Sequence, residues 1–355
     1  MGYVNPRSMS AIGVLFPILT ILSLAVRIYG WRHQGRKLGV DDILVLPAGI
    51  LTIAAGVGIV VATQLHIIGG HNTQATNMVE ESVKLGIFEY AFWITHVLAI
   101  GFIKLTILFL LRHVFKGRSY STAFDYTNWI LITLVILWTL VFLFFDIFAC
   151  GTTPQASWES WSSLRSACIN TFGLQTGCAV FSWVLDIAIF VEPLIMIRTL
   201  NMSRARKVQS SLVFLSSGFA VIVGLLRLIP WIQVLIQDIT HPTIKVLGTT
   251  FPISDQQAII SIVLFWTYIE IGVGFLVACV PRSAWVLDKL SLDPILSRLR
   301  SLPSSISLIK KKQQSPQKGR GMEPNLGSWE SLAQRKESFG QNSDNVELVG
   351  ARDQV

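Results

Sequence analysis

Seven long apolar stretches alternate with short polar connections along the chain. The stretches cover residues 11–29, 43–62, 87–111, 129–150, 172–197, 212–236 and 258–280. A helix needs about 20 mainly apolar residues to cross a bilayer, so we predict seven membrane-spanning helices. A membrane barrel would need short strands of alternating polarity, a pattern that these stretches lack. The alternative is that one stretch forms a re-entrant segment, and the first, with Pro17 and Arg27, is the weakest.

The composition leaves few charges with which to cover a soluble protein. Charged residues make up 14% of the 355 residues and apolar residues 52%, whereas about a quarter of an ordinary soluble domain is charged. The predicted fold class is therefore an all-α membrane protein, a seven-transmembrane helix bundle. We expect a multi-pass protein of the plasma membrane or an endomembrane, with the lipid bilayer as its partner.

Lysine and arginine are distributed unequally between the connections. Three connections contain three or four of these residues each: 30–42, 112–128 and 198–211. The alternate connections contain one each: 63–86, 151–171 and 237–257. Because basic connections face the cytosol, we predict that the N-terminus lies outside and the C-terminus in the cytosol. The net charge of +8 mostly reflects this topology, and no basic folded face indicates a nucleic-acid partner.

The apolar pattern ends near residue 290. We therefore divide the chain into a seven-transmembrane domain, residues 1–290, and a disordered cytosolic tail, residues 291–355, rich in Ser, Gln, Lys and Gly. The tail segment "IKKKQQSPQKGR" either lies on anionic lipid or is simply solvated. The basic inner connections and the tail are the surfaces on which we expect a cytosolic signalling partner.

Two of the four cysteines bracket one predicted outer connection. Cys150 and Cys168 enclose "GTTPQASWESWSSLRSA", and the outer side is oxidising, so we predict a disulfide between them. Cys178 and Cys279 fall inside helices and are interpreted as small packing residues. No CxxC motif or His/Cys cluster indicates a metal, and we expect neither a metal nor a cofactor.

Several stretches taken together resemble one family. They are "GVDDILVL", "QLHIIGGH", "FIKLTILFLLRHVF", "FAC" with a tryptophan before a second cysteine, "WVLDIAIFVEPL" and "FWTYIEIGVGFLVACVPRSAW". Their order and spacing over residues 11–290 resemble the fungal rhodopsin-domain integral membrane proteins. The resemblance implies a seven-helix fold, and the family includes receptor-like proteins and members encoded in secondary-metabolite gene clusters. Val40 and Thr106 depart from the aromatic residue and the serine that the family favours there.

Ionisable residues within the predicted spans are the candidate site. Lys104 lies eight residues before Arg112, hence about 12 Å deep, and Asp186 and Glu270 lie about 18 Å deep. Such residues mark functional sites or structural pairs. Glu192 precedes Pro193, which frees a backbone carbonyl and would kink the helix. Asp146 and Arg227 fall nearer the outer ends, where we expect water to reach them.

Glu89, His96 and Lys104 share one face of the third helix, since helical rotation places them at about 0°, 340° and 60°. We expect this polar stripe to face the interior and Lys104 to pair with Glu270 or Asp186. Analogy with other seven-helix bundles favours Glu270. Two alternatives are a ligand site that uses the same groups and a Lys104 side chain that extends to the inner surface.

Three functions compete. The favoured hypothesis is that the chain is a receptor-like sensor of an unknown small-molecule ligand and not an enzyme. The alternative is a membrane-embedded enzyme or accessory protein of secondary metabolism, in which Asp186 or Glu270 protonates an apolar substrate. A transporter is the third, although no internal repeat is detectable. Retinal is disfavoured because residues 258–280 contain no lysine for a Schiff base.

The unequal basic connections generate a topology prediction. In intact cells, a tag on the N-terminus should be accessible to protease and a tag on the C-terminus should be protected. Two tags on the same side would mean an even number of spans and would contradict the seven-helix count.

Overall fold

A computed structural model provides the structure of the chain. It describes residues 4–34, 39–70, 78–115, 122–159, 167–199, 204–236, 243–246, 249–252 and 256–289. The helices, in chain order, are α1 Pro6–Gln34, α2 Val40–Gln64, α3 Met78–Phe115, α4 Thr122–Ile147, α5 Ala156–Glu159, α6 Thr171–Thr199, α7 Arg204–Ile236 and α8 Gln256–Lys289. The strands are β1 Thr243–Val246 and β2 Thr249–Pro252.

Seven of these helices are long and apolar enough to cross a membrane, which confirms the predicted class of fold. Each contains one predicted span except α4, which ends at Ile147, three residues before the end of the predicted span 129–150; α1 is a continuous helix despite Pro17. The antiparallel hairpin of β1 and β2, between α7 and α8, was not predicted. The predicted tail, residues 291–355, lies outside the described residues.

Helices α3 and α8 form the centre of the bundle. In their spans, 67% and 72% of the residues are buried by protein, against 28% to 39% in the other five. Helix α3 packs against α2, α4, α6, α7 and α8. Charged side chains on α3 and α8 therefore meet other protein groups rather than lipid.

Polar side chains fix where α1 and α6 begin. The side chain of Asn5 accepts a hydrogen bond from the Ser8 amide at 2.9 Å, and Ser8 Oγ accepts one from the Asn5 amide at 2.9 Å. The side chain of Asn170 accepts from the Gly173 amide at 3.0 Å. These contacts satisfy amides that have no partner in the first helical turn.

Residues 64–70, the described part of the "QLHIIGGH" motif, bind the end of α2 to the beginning of α8. The Gly69 amide donates to Ser261 Oγ at 2.8 Å, and the Gln257 side chain donates to the His66 carbonyl at 2.7 Å. Gly69 has a positive φ of 82°, a conformation that favours glycine. Ile68 is buried between these contacts. The segment is thus a structural junction.

The connection after α4 is held against α3. Cys150 and Cys168 form a disulfide in the structure. The Trp158 ring packs on that of Tyr90 with centroids 5.3 Å apart, and a Cβ at Gly86 would lie 2.7 Å from Trp158 Cβ. This connection therefore covers one end of the central helix.

A glycine contact brings α1, α2 and α8 together. A Cβ atom at Gly56 would lie 3.0 Å from the Gly13 carbonyl oxygen, 2.5 Å from Pro17 Cγ and in collision with Tyr268 Oη. Tyr268 is itself fully buried and donates to the Thr52 carbonyl at 3.3 Å. The close approach of the three helices therefore requires a residue without a side chain.

This contact predicts that Gly56→Ala destabilises the bundle by about 1–3 kcal/mol, because the added methyl group overfills a packed site. Gly177→Ala is the matched control, since a Cβ there has nothing within 4 Å, and its higher helix propensity should leave stability unchanged or raise it by up to about 1 kcal/mol. Thermal unfolding in detergent measures both. Equal stability of the two variants would contradict the close approach.

Candidate functional site

Lys104 is buried in the centre of the bundle and bonded to α6. Its side chain is 3% exposed; Nζ forms an ion pair with Asp186 Oδ1 and donates to the Ser182 carbonyl at 3.0 Å. The preference for Glu270 as its partner is wrong, because Glu270 contacts a different cation. The side chain also ends at α6 instead of extending to the inner surface. Lys104 therefore ties α3 to α6.

Arg227 forms the second buried pair. Its side chain is 2% exposed and contacts Glu270 Oε2, which joins α7 to α8. Its Nη1 also lies 2.6 Å from His96 Nε2, on α3. The expectation that water reaches Arg227 near an outer end is wrong, because the side chain is buried and its guanidinium contacts groups on α3 and α8.

The two ion pairs lie close to each other, beside Gly224 of α7. A Cβ atom at Gly224 would lie 3.4 Å from Asp186 Oδ2 and 3.9 Å from Glu270 Oε1. Glu270 also interacts electrostatically with both Asp186 and Lys104. Two cations and two carboxylates thus form one group of four, the charge cluster, whose formal charges cancel.

Aromatic rings cover one side of this charge cluster. The Trp93 ring lies 5.8 Å from the His96 ring and 5.3 Å from the Trp231 ring, and Phe172 lies 6.4 Å from Trp231. Glu89, the remaining residue of the predicted stripe, is half-buried and accepts a hydrogen bond from Trp93 Nε1 at 3.1 Å. His96 and Lys104 face the charge cluster, whereas Glu89 faces the aromatic rings.

Two further buried acids lie apart from these pairs. Asp146 is buried and accepts from Gln175 Nε2 at 2.7 Å, so the expectation that water reaches it is wrong as well. Glu192 is 5% exposed, and its carboxyl group lies beside the side chain of Asn128, on α4. Its backbone continues as helix through Pro193. Glu192 is therefore a separate polar position.

A third charged junction explains the motif "GVDDILVL". Arg27 donates from Nη2 to Asp41 at 2.7 Å, from Nε to Asp42 at 2.9 Å and from Nη1 to the Ala278 carbonyl at 3.2 Å. Asp42 also accepts from the Gly39 amide at 3.2 Å and so caps α2. This junction binds α1, α2 and α8, a structural role that the sequence analysis did not assign.

Arg227 is the important residue that the sequence analysis left out of the site. It lies nine residues before Ile236, the end of its span, which corresponds to about 14 Å of helical rise. That depth is close to the value of about 12 Å found for Lys104. The same depth estimate, applied to every span, would have included Arg227.

These features define a multi-pass membrane protein with seven spanning helices, in which the buried cations Lys104 and Arg227 pair with acids on other helices. Residues 26–289 match the fungal rhodopsin domain. The chain therefore belongs to the fungal rhodopsin-domain family, which confirms the resemblance seen in its motifs. No solved structure matches the chain.

Two relatives have names that refer to fungal biosynthetic gene clusters. Phomoidride biosynthesis cluster protein H of Fungal sp. (strain ATCC 74256) is 26% identical over 171 residues, which cover 42% of this chain and 60% of the relative. Polyenoic acids biosynthesis gene cluster protein Ba17b of Metarhizium anisopliae is 24% identical over 213 residues, 59% of this chain and 56% of the relative. The chain thus matches less than two thirds of the length of each relative.

The first ion pair predicts a specific pattern of stability. Lys104→Met leaves the Asp186 carboxylate without its cation and should lower the free energy of unfolding by about 3–5 kcal/mol. Adding Asp186→Asn should restore most of this loss, because removal of both charges of a buried pair costs little. Adding Glu270→Gln instead should restore less of the loss, because it also removes the carboxylate that Arg227 contacts, and Arg227 would have to move to reach Asp186.

Thermal unfolding of the single and double variants in detergent provides the coupling energies. If the effects of Lys104→Met and Asp186→Asn simply add, the two side chains do not form a pair. Rescue by Glu270→Gln alone would assign Lys104 to the other acid.

Proposed function

We propose that this protein is a receptor-like sensor of a small, largely apolar ligand. The observation that carries the proposal is the charge cluster, which connects α3, α6, α7 and α8 through two ion pairs. A ligand that alters the spacing of these groups would move four helices together. Such coupling between an interior site and helix positions is what a membrane sensor requires.

The four charged groups lie close enough together that the two cations could exchange their acid partners. Both acids approach Gly224, so Lys104 could pair with Glu270 and Arg227 with Asp186 after a modest shift of α7. The exchanged pairs have the same total charge and both cations remain neutralised. The proposed sensor would therefore change between two pairings, with ligand binding favouring one of them.

The names of the two relatives support the proposed class of ligand. Both are named after biosynthetic gene clusters, one of them for polyenoic acids. A sensor for a product or intermediate of secondary metabolism agrees with these names. On the proposed topology, the basic inner connections would transmit the change to a cytosolic signalling partner.

One observation favours the second candidate, a membrane-embedded enzyme or accessory protein of such a pathway. An acid that protonates an apolar substrate must itself hold a proton. Asp186 and Glu270 each contact a cation, so neither stands as a free carboxylic acid. Glu192 is different, because the neighbour of its carboxyl group is the neutral side chain of Asn128 and not a cation. If the protein is an enzyme, Glu192 is the better candidate for the proton donor.

Labels at the shared end of α3 and α7 test the sensor. His113 and Leu215 are exposed, and cysteines introduced there can be labelled selectively because Cys178 and Cys279 are buried. In nanodiscs, a panel of polyenoic acids and other fungal secondary metabolites should include a compound that changes energy transfer between the labels. The change should disappear when Lys104→Met and Asp186→Asn are combined, since that variant has only one ion pair.

The same compounds incubated with microsomes separate the two functions. A sensor returns its ligand chemically unchanged, as measured by mass spectrometry. Conversion of a compound that depends on Glu192, and is lost in Glu192→Gln, would contradict the sensor and support the enzyme.

A further inference from the structure

His96 carries a buried hydrogen-bond donor for which the described residues supply no acceptor. Arginine has only donors, so the 2.6 Å contact with Arg227 Nη1 requires Nε2 of His96 to accept. The proton of the neutral imidazole is then on Nδ1. His96 is 1% exposed, and Nδ1 has no hydrogen-bond partner in the part of the chain that the structure describes.

Such a donor is costly to leave unsatisfied. A buried polar group without a partner costs about 1–3 kcal/mol, and most buried groups in folded proteins are satisfied. The hydroxyls of Thr52, Thr63 and Thr267 illustrate the rule, because each donates to the carbonyl four residues earlier. His96 is an exception beside the charge cluster, and an unsatisfied donor at this position points to an acceptor on another molecule.

The surroundings of His96 restrict what that molecule can be. Lys104 is paired with Asp186 and Arg227 with Glu270, so an anion would have to compete with a carboxylate already in place. An uncharged acceptor can bind without breaking either pair. Trp93 and Trp231, whose rings lie 5.3 Å apart, favour an apolar and preferably flat or conjugated body next to the acceptor.

We propose that His96 Nδ1 is the polar anchor of a ligand site for an uncharged apolar molecule that carries a carbonyl oxygen, with Trp93 and Trp231 against its hydrocarbon part. This inference rests on the proposed sensor function, for which it specifies the site and the ligand class. The carbonyl oxygen accepts the hydrogen bond from Nδ1, and the ligand contributes no charge to the charge cluster.

The probe is the methyl ester of a conjugated tetraenoic fatty acid, compared with the conjugated tetraene hydrocarbon of the same length and with the ionised acid. His96→Gln is the informative variant. Its side-chain carbonyl can replace Nε2 as the partner of Arg227, whereas its amide donors lie farther along the side chain and do not occupy the position of Nδ1. His113→Gln, at an exposed histidine of the same helix, is the matched control.

Ligand-induced stabilisation in nanodiscs is the measurement, because binding to the folded state raises the unfolding temperature with the logarithm of the ratio of free ligand to Kd. The ester should stabilise the unmodified chain and His113→Gln more than the hydrocarbon or the ionised acid does. In His96→Gln, affinity for the ester should fall about tenfold, the usual effect of one lost hydrogen bond. The hydrocarbon should bind His96→Gln and His113→Gln equally.

Three results would overturn this site. One is an ester that binds His96→Gln as well as it binds His113→Gln, the second is an ionised acid that binds more tightly than the ester, and the third is an ester that binds no better than the hydrocarbon. None of these affects the label experiment with Lys104→Met and Asp186→Asn, so failure of the site is distinguishable from failure of the sensor. Unliganded His96→Gln could be less stable than His113→Gln. The site is then tested by comparing how much the ester and the hydrocarbon each stabilise His96→Gln itself.

Discussion

The pairing of two cations inside the bundle is the constraint on which the rest of the structure depends. Lys104 and Arg227 are almost completely buried, and an unpaired charge at such a position is too costly to persist. Each cation therefore needs a carboxylate from another helix, which fixes the relative positions of α3, α6, α7 and α8. Apolar packing alone could not do this, because lipid solvates apolar side chains as well as a neighbouring helix does.

The motifs that identify the family lie where helices meet. "GVDDILVL" supplies the two acids that bind Arg27, "QLHIIGGH" provides the turn that contacts α8, and "WVLDIAIFVEPL" contributes Asp186. Each motif places a polar group at a position where packing of side chains would not specify a unique partner. The motifs are therefore best understood as the contacts that select one arrangement of seven similar apolar helices.

The fold was predictable from the sequence, and the pairing within the site was not. Length and apolarity determine a spanning helix, so seven spans could be located along the chain, although their ends could not be fixed to the residue. The depth of Lys104 and the face that it shares with His96 also follow from helical geometry. The choice between Asp186 and Glu270 does not, because both lie at the same depth and only the positions of α6 and α8 around α3 distinguish them. Arg227 was missed because its depth was not compared with that of Lys104.

The ambiguity between the two acids has a physical meaning for the proposed sensor. A ligand can shift an equilibrium only by its difference in affinity for the two states, and about 5.5 kcal/mol is needed to reverse a ratio of 1:99. Breaking a buried pair outright would cost a comparable amount and leave little for signalling. Exchange of partners keeps both cations buried and neutralised, so the largest energetic terms are the same in the two pairings. The remaining difference in free energy between the two pairings is then small. One hydrogen bond and an apolar contact from a ligand would be enough to favour one pairing over the other.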